Sequence, residues 1–277
     1  MPHLLEVGLK RQLTAEESRT FPFGVSAIKT LQTLDTNVPV TLFVGENGSG
    51  KSTLLEGIAT AAELPSLGVS ELAVDDTLAQ QRRLGAALRL AWRPRSRQGF
   101  FLRAEDFFGH LRMQARTDAR IVREKAEFLG VRFDHEGVAA GGSHLDEQNA
   151  LRFLPKYDSR SHGESFVDIF STRVRPRGLY LLDEPEAPLS PMRQLVLLRL
   201  ILRAADEGAQ FIIATHSPIL LACPGARIFS FDAPPICEVA YADLVHVTVM
   251  REFLNNPDEH LRRLMEADAD MEPRTPA

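Results

Sequence analysis

Eight consecutive residues, Gly45-Glu46-Asn47-Gly48-Ser49-Gly50-Lys51-Ser52, satisfy the pattern G-x-x-x-x-G-K-[ST]. Glycines let a backbone turn successive N–H groups toward phosphate oxygens, and a helix N-terminus behind them adds positive potential. In such a loop Lys51 would reach the β and γ phosphates of a nucleoside triphosphate, Ser52 would ligate magnesium, and Thr53 would follow them as the last phosphate-contacting residue. A glycine turn that only caps a helix is the plainer alternative. The flanking sequence favours the phosphate loop: Val40–Val44 (VTLFV) reads as a buried strand before it, and Thr53 to Ala62 reads as a helix after it.

Two further segments could complete that chemistry. Leu179-Tyr180-Leu181-Leu182-Asp183-Glu184 is an apolar run ending in two carboxylates. Asp183 is expected to hold the metal through water, and Glu184 to polarise the water that attacks the terminal phosphate. An acidic pair after a strand is more often a solvated loop, and only the phosphate loop gives this pair its chemical meaning. Ala214-Thr215-His216-Ser217-Pro218 follows another apolar run, so His216 would stand at the same sheet edge and hydrogen-bond the γ-phosphate. The alternative is that Thr215 or Ser217 caps the next helix while His216 is merely exposed.

These residues require a scaffold of parallel strands. Besides Val40–Val44, strands are expected at 179–182, 211–214 and 227–231, with an apolar helix at about 192–205. The alternation predicts an α/β fold with a mostly parallel sheet flanked by helices. A helical, charge-rich stretch from about Leu72 to Leu129, followed by a loop at Gly137, Gly141 and Gly142, reads as an inserted lobe spanning 72–142 within one domain of 277 residues. The polar segment 267–277 is expected to be disordered.

The net charge of −5 argues against coating nucleic acid by overall charge, though not against a local basic patch. Cys223 and Cys237 match neither a zinc motif nor a disulfide framework. The longest apolar stretch, 195–202, is interrupted by Arg199 and is too short to span a bilayer. A cytoplasmic protein is expected.

Together with Ser161-His162-Gly163-Glu164-Ser165, the three segments resemble the ATP-binding cassette (ABC) ATPases over most of the chain. The set GENGSGKSTLLE, SHGES, LLDEPEAPLSP and ATHSP is similar to stand-alone bacterial AAA-type ATPases of the repair and chromosome-maintenance branch. The resemblance implies ATP with magnesium as cofactor, and a nucleotide-dependent homodimer. Ser161, Gly163 and Glu164 would be signature residues facing the γ-phosphate bound by a second copy. Leu189, Ser190 and Pro191 would form the loop that connects the two sites. The sequence departs from the family pattern in carrying His162 and Glu164 where glycine and glutamine are common, and no clean glutamine loop is visible; Gly99 to Phe108 occupies that region, with Gln98 before it and Glu105 inside it.

Phe21 and Phe23 lie where many family members carry an adenine-stacking ring, although core packing beside Pro22 explains them equally well. Arg82, Arg83, Arg89, Arg93, Arg95 and Arg97 run without an acidic residue, and Arg112, Arg116 and Arg120 share one helical face. They make nucleic acid a candidate partner alongside another protein, against the plainer reading of a solvated face. Three functions compete. The first is an ATP-driven dimerisation switch in DNA maintenance, repair or phage defence; the second is the nucleotide-binding subunit of a transporter; the third is a module that binds ATP without hydrolysing it. Asp183 and Glu184 together speak against the third.

Overall fold

The computed structural model describes residues 1–67, 77–96, 98–103, 132–133, 139–140 and 170–271. Its strands in chain order are β1 (Leu4–Leu9), β2 (Leu34–Asp35), β3 (Val40–Val44), β4 (Ser66–Leu67), β5 (Leu88–Trp92), β6 (Gly99–Arg103), β7 (Arg132–Phe133), β8 (Ala139–Ala140), β9 (Leu179–Asp183), β10 (Gln210–Ala214), β11 (Arg227–Ser230) and β12 (Cys237–Val239). Seven of them form one sheet in the order β12-β11-β3-β10-β9-β6-β4, parallel except for the edge pair β11 and β12. Every residue of β3, β9 and β10 is buried, as expected of parallel strands covered on both faces, and their continuous apolar sequences reflect it.

The helices are α1 (Ser26–Lys29), α2 (Lys51–Ala62), α3 (Thr77–Ala87), α4 (Pro191–Asp206), α5 (Pro218–Leu221), α6 (Val245–Asn255) and α7 (Pro257–Met271). Two cores flank the main sheet. On one face α2 and the three-stranded antiparallel sheet β2-β1-β5 pack Leu54, Leu55 and Ile58 against Phe43 and Ile212. On the other, Leu197 and Ile201 of α4 pack against Leu182, Phe211 and Ile213. Ser190 precedes α4 with Pro191 at its first turn, where the missing N–H leaves no intrahelical bond unmade.

The two sheets are fastened by Gln210, which is wholly buried. Its Oε1 accepts from the backbone N–H of His3 and of Leu4, each at 2.8 Å. Its Nε2 donates to the carbonyls of Leu4 at 2.8 Å and Thr36 at 2.7 Å. One amide thereby satisfies polar backbone that burial would otherwise orphan.

The expected helical lobe needs correction at its start. After α3 the chain forms β5, which joins the three-stranded sheet, and β6, which joins the seven-stranded sheet. Leu88, Leu90 and Trp92 alternate with Arg89 and Ala91 at the strand period of two, and Phe100-Phe101-Leu102 is a short buried run; neither has a helix repeat. The tail also starts later than expected, since α7 continues to Met271. Arg112, Arg116, Arg120, Gly137, Gly141 and Gly142 lie outside the described residues. Among the described residues no helix is long and apolar enough to cross a membrane.

Candidate functional site

Because the central strands are parallel, the segments leaving their carboxyl ends collect on one edge of the sheet. The register aligns them: Ala214 sits beside both Phe43 and Asp183, Arg103 beside Asp183, and Ser230 beside Val44. Residues 45–50 follow β3 as a loop, and Lys51 opens α2. Gly45 and Gly48 have φ of 147° and 79°, a backbone that side chains rarely adopt, which is why glycine occupies these turns.

Lys51 is buried, and its Nζ donates to the carbonyls of Gly45 at 2.5 Å and Glu46 at 3.0 Å. Burial lowers its pKa, while the nearby carboxylates of Glu184, Asp183, Asp232 and Glu46 oppose that shift. The cation is held inside the loop on two carbonyls that phosphate oxygens can replace. A cavity of about 450 Å³ lies against Glu46, Asn47, Gly48 and Ser49 and reaches Gly24–Ala27 and Phe231–Asp232. Of the two aromatic candidates, Phe23 belongs to the core with the Arg83 guanidinium 5.7 Å from its ring centroid, whereas Phe21 is exposed.

Ser52 and Asp183 meet at the other end of the loop, with Ser52 Oγ donating to Asp183 Oδ1 at 3.0 Å. Burial raises the Asp183 pKa, opposed by the Ser52 hydrogen bond and the Arg103 charge. A hydroxyl and a buried carboxylate are hard oxygen donors, and among the described residues no cluster of three His, Cys, Asp or Glu could hold a metal alone. That donor set fits magnesium, which keeps waters and substrate phosphates as its remaining ligands.

Glu184 is half-exposed and adopts φ of 49°, which turns the chain sharply after β9. Its N–H donates to the Ala214 carbonyl at 2.9 Å, tying the ends of β9 and β10 together. Its carboxylate lies 3.9 Å from His216 Nε2. Ser217 caps α5, its Oγ accepting from the N–H groups of Ile219 and Leu220, so the capping role falls to Ser217 while His216 turns toward Glu184. Leu189 is buried, and the 189–191 segment runs directly from the Glu184 turn into α4.

Several residues at this edge were not singled out from sequence. Glu186 Oε1 accepts from the N–H of His216 at 2.7 Å and of Ser217 at 3.2 Å, which orients the histidine segment. Burial raises the pKa of this carboxyl, opposed by a hydrogen bond from the Thr215 side chain and by the His216 N–H. Asp232 Oδ1 accepts from the N–H of Glu46 at 2.9 Å and steadies the phosphate loop from the end of β11. Arg103, at the end of β6, places Nε 3.3 Å from Asp183 Oδ2. A charged or amide residue just past an apolar strand was the available signal for all three.

Other candidates lie elsewhere. Gln98 precedes β6, at the opposite end of the strand from Asp183, with its carbonyl accepting from Leu179 N–H, so it does not reach the site. Ser161, Gly163, Glu164 and Glu105 lie outside the described residues. In the basic run, Arg89 pairs with Glu6 at 3.2 Å and Arg95 with Glu63 at 3.0 Å, so part of its charge is neutralised within the chain.

Comparison with known proteins gives two family matches: "AAA domain, putative AbiEii toxin, Type IV TA system" over residues 151–222, and "AAA domain" over 14–62. The hemin import ATP-binding protein HmuV of Pseudomonas fluorescens is 30% identical over 175 residues, which is 62% of this chain and 64% of that protein, so the chain spans just under two thirds of this relative. The glutamine transport ATP-binding protein GlnQ of Escherichia coli is 25% identical over 227 residues, covering 78% of this chain and 86% of that one. Among solved structures, the SMC head domain from Thermotoga maritima aligns with a TM-score of 0.39 at 15% identity, over 86% of this chain and 99% of that one. The phosphate loop, the acidic strand end and the histidine segment stand on one sheet edge, and in sequence the chain is similar to AAA domains and to the ATP-binding proteins HmuV and GlnQ.

Proposed function

We propose that the chain hydrolyses ATP with magnesium and uses the cycle to join and separate two copies of itself. The observation that carries the hydrolytic part is the half-exposed Glu184 carboxylate, 3.9 Å from His216 Nε2 and on the same sheet edge as Lys51. Magnesium held by Ser52 and Asp183 would neutralise charge on the β and γ phosphates. Lys51 exchanges its two loop carbonyls for phosphate oxygens, and backbone N–H groups of the loop take the remainder. Water attacks the γ-phosphorus as the bond to the β–γ bridging oxygen breaks, leaving ADP. Glu184 accepts the water proton, and His216 donates to a γ-phosphate oxygen.

One phosphate loop leaves γ-phosphate oxygens open to a second set of donors. Ser161 and Gly163 of another copy, with Glu164 beside them, are proposed to supply that set, so that nucleotide closes the dimer and hydrolysis opens it. Glu164 and the net charge of −5 oppose association, which favours a transient dimer. The family match whose description mentions a toxin and a Type IV TA system supports a role in defence. A second reading, the ATP-binding subunit of a transporter, is favoured by what HmuV and GlnQ are named for.

Glu184→Gln tests the proposal. The amide can still orient water but cannot take its proton, so hydrolysis should fall by about 10²–10⁴-fold with binding retained. Light scattering of that variant with saturating ATP and magnesium should show a doubled mass. Wild-type turnover would remove Glu184 from the mechanism, and an unchanged monomer mass would exclude the self-dimer. A dimer that forms only with a membrane permease present would favour the transporter reading.

A further inference from the structure

Arg103 stands beside Asp183 in register on the neighbouring parallel strand and carries two anionic partners. Its Nε lies 3.3 Å from Asp183 Oδ2, and its NH2 pairs with the Glu56 carboxylate. Glu56 lies on α2, four residues after Ser52, and its other oxygen accepts from Gln81 Nε2 of α3 at 2.8 Å. The guanidinium also lies 5.9 Å from the centroid of the Phe101 ring. A continuous polar chain therefore runs from Ser52 through Asp183, Arg103 and Glu56 to α3.

We propose that Arg103 is a positioning residue that occupies the metal-binding carboxylate of Asp183 in the nucleotide-free chain and is handed to Glu56 when a divalent cation arrives. The inference rests on the ATPase reading above. The Asp183 side chain is 5% exposed, so without metal it needs a counter-charge, which Arg103 supplies. A divalent cation between Ser52 and Asp183 would be a second positive charge against the same carboxylate, and a guanidinium 3.3 Å from Oδ2 repels it. Glu56 gives the displaced guanidinium a partner already in contact, so the exchange needs only a small rotation of one side chain. Since Glu56 also holds Gln81, the exchange pulls on α3 and reports the metal state of the site to that helix.

The test is Mn²⁺ binding, followed by the loss of its free-ion electron paramagnetic resonance signal, to protein saturated with ADP. Opposite signs are expected from the two halves of the pair. Arg103→Met removes the competing cation and should tighten Mn²⁺ binding by about threefold to tenfold, the range expected for a partly solvated charge pair. Glu56→Gln leaves Arg103 with Asp183 as its remaining anionic partner among the described residues and should weaken Mn²⁺ binding by a similar factor. The double variant should bind like Arg103→Met, because Glu56 acts only through Arg103. Arg103→Met binding as wild type or more weakly, or Glu56→Gln binding as wild type or more tightly, would overturn the assignment. If Arg103→Met does not fold, Glu56→Gln alone decides. Binding of a fluorescent ATP analogue with magnesium separates the two levels: wild-type protein that retains no nucleotide refutes the ATPase reading and this inference together. Normal nucleotide binding with unmoved Mn²⁺ affinities refutes only the role of Arg103.

Discussion

Placing alanine at Gly45 and at Gly48 should separate two kinds of constraint in the phosphate loop. At Gly48 the backbone has φ of 79°, and a Cβ would meet nothing within 4 Å, so the penalty is conformational alone, about 1–2 kcal/mol. At Gly45 φ is 147°, far from the left-handed basin that L-residues can visit. There the Cβ would come 3.0 Å from Phe231 Cβ, 3.1 Å from Phe231 C and 3.2 Å from Asp232 N. Two of those atoms are backbone and cannot rotate away. The loop must shift off β11, which also disturbs the Asp232 bond to the Glu46 N–H. Strain and overpacking together should cost about 3–4 kcal/mol at Gly45. With roughly 2–4 °C of Tm per kcal/mol for a domain of this size class, Gly45→Ala should melt roughly 6–16 °C below wild type and Gly48→Ala roughly 2–8 °C below it. The measurement is a thermal melt followed by circular dichroism without nucleotide. If Gly48→Ala lowers Tm as much as Gly45→Ala does, the argument from the Phe231–Asp232 approach is wrong.

Lys51→Ala should abolish binding of a fluorescent ATP analogue, or weaken it by more than about 100-fold, through loss of the cation at the β and γ phosphates; near-normal affinity would remove that role. Gln210→Ala should destabilise the chain by about 3 kcal/mol in urea unfolding, because the polar backbone of Leu4 and Thr36 loses its buried partner. A loss under about 1 kcal/mol would mean that water replaces the amide. Cys223 is buried, with its thiol pushed up to about 11 by desolvation, whereas Cys237 is exposed. A disulfide reagent at pH 8 should therefore modify one thiol per chain until denaturant is added, since the thiolate is the reactive form.

The phosphate loop and its flanking strand and helix were legible from the chain because the chemistry is local: G-x-x-x-x-G-K-S between VTLFV and a helix specifies its own backbone. The buried strands at 179, 210 and 227 were legible for a related reason, as parallel strands covered on both faces become uninterrupted apolar runs. The strands at 88–92 and 99–103 were lost within a charge-rich stretch, where arginine content outweighed a short period-two pattern in the first and a three-residue apolar run in the second. Arg103, Glu186 and Asp232 had no meaning until the sheet order was known. Asp232 steadies a loop 186 positions earlier because β11 lies next to β3, and Arg103 reaches Asp183 because β6 lies next to β9. The sequence by itself determined which residues could do chemistry together within each segment, since that depends on residue type and short spacing. Only the tertiary structure decided which distant charges surround that chemistry, since strand order is set by the packing of both cores and not by any segment alone.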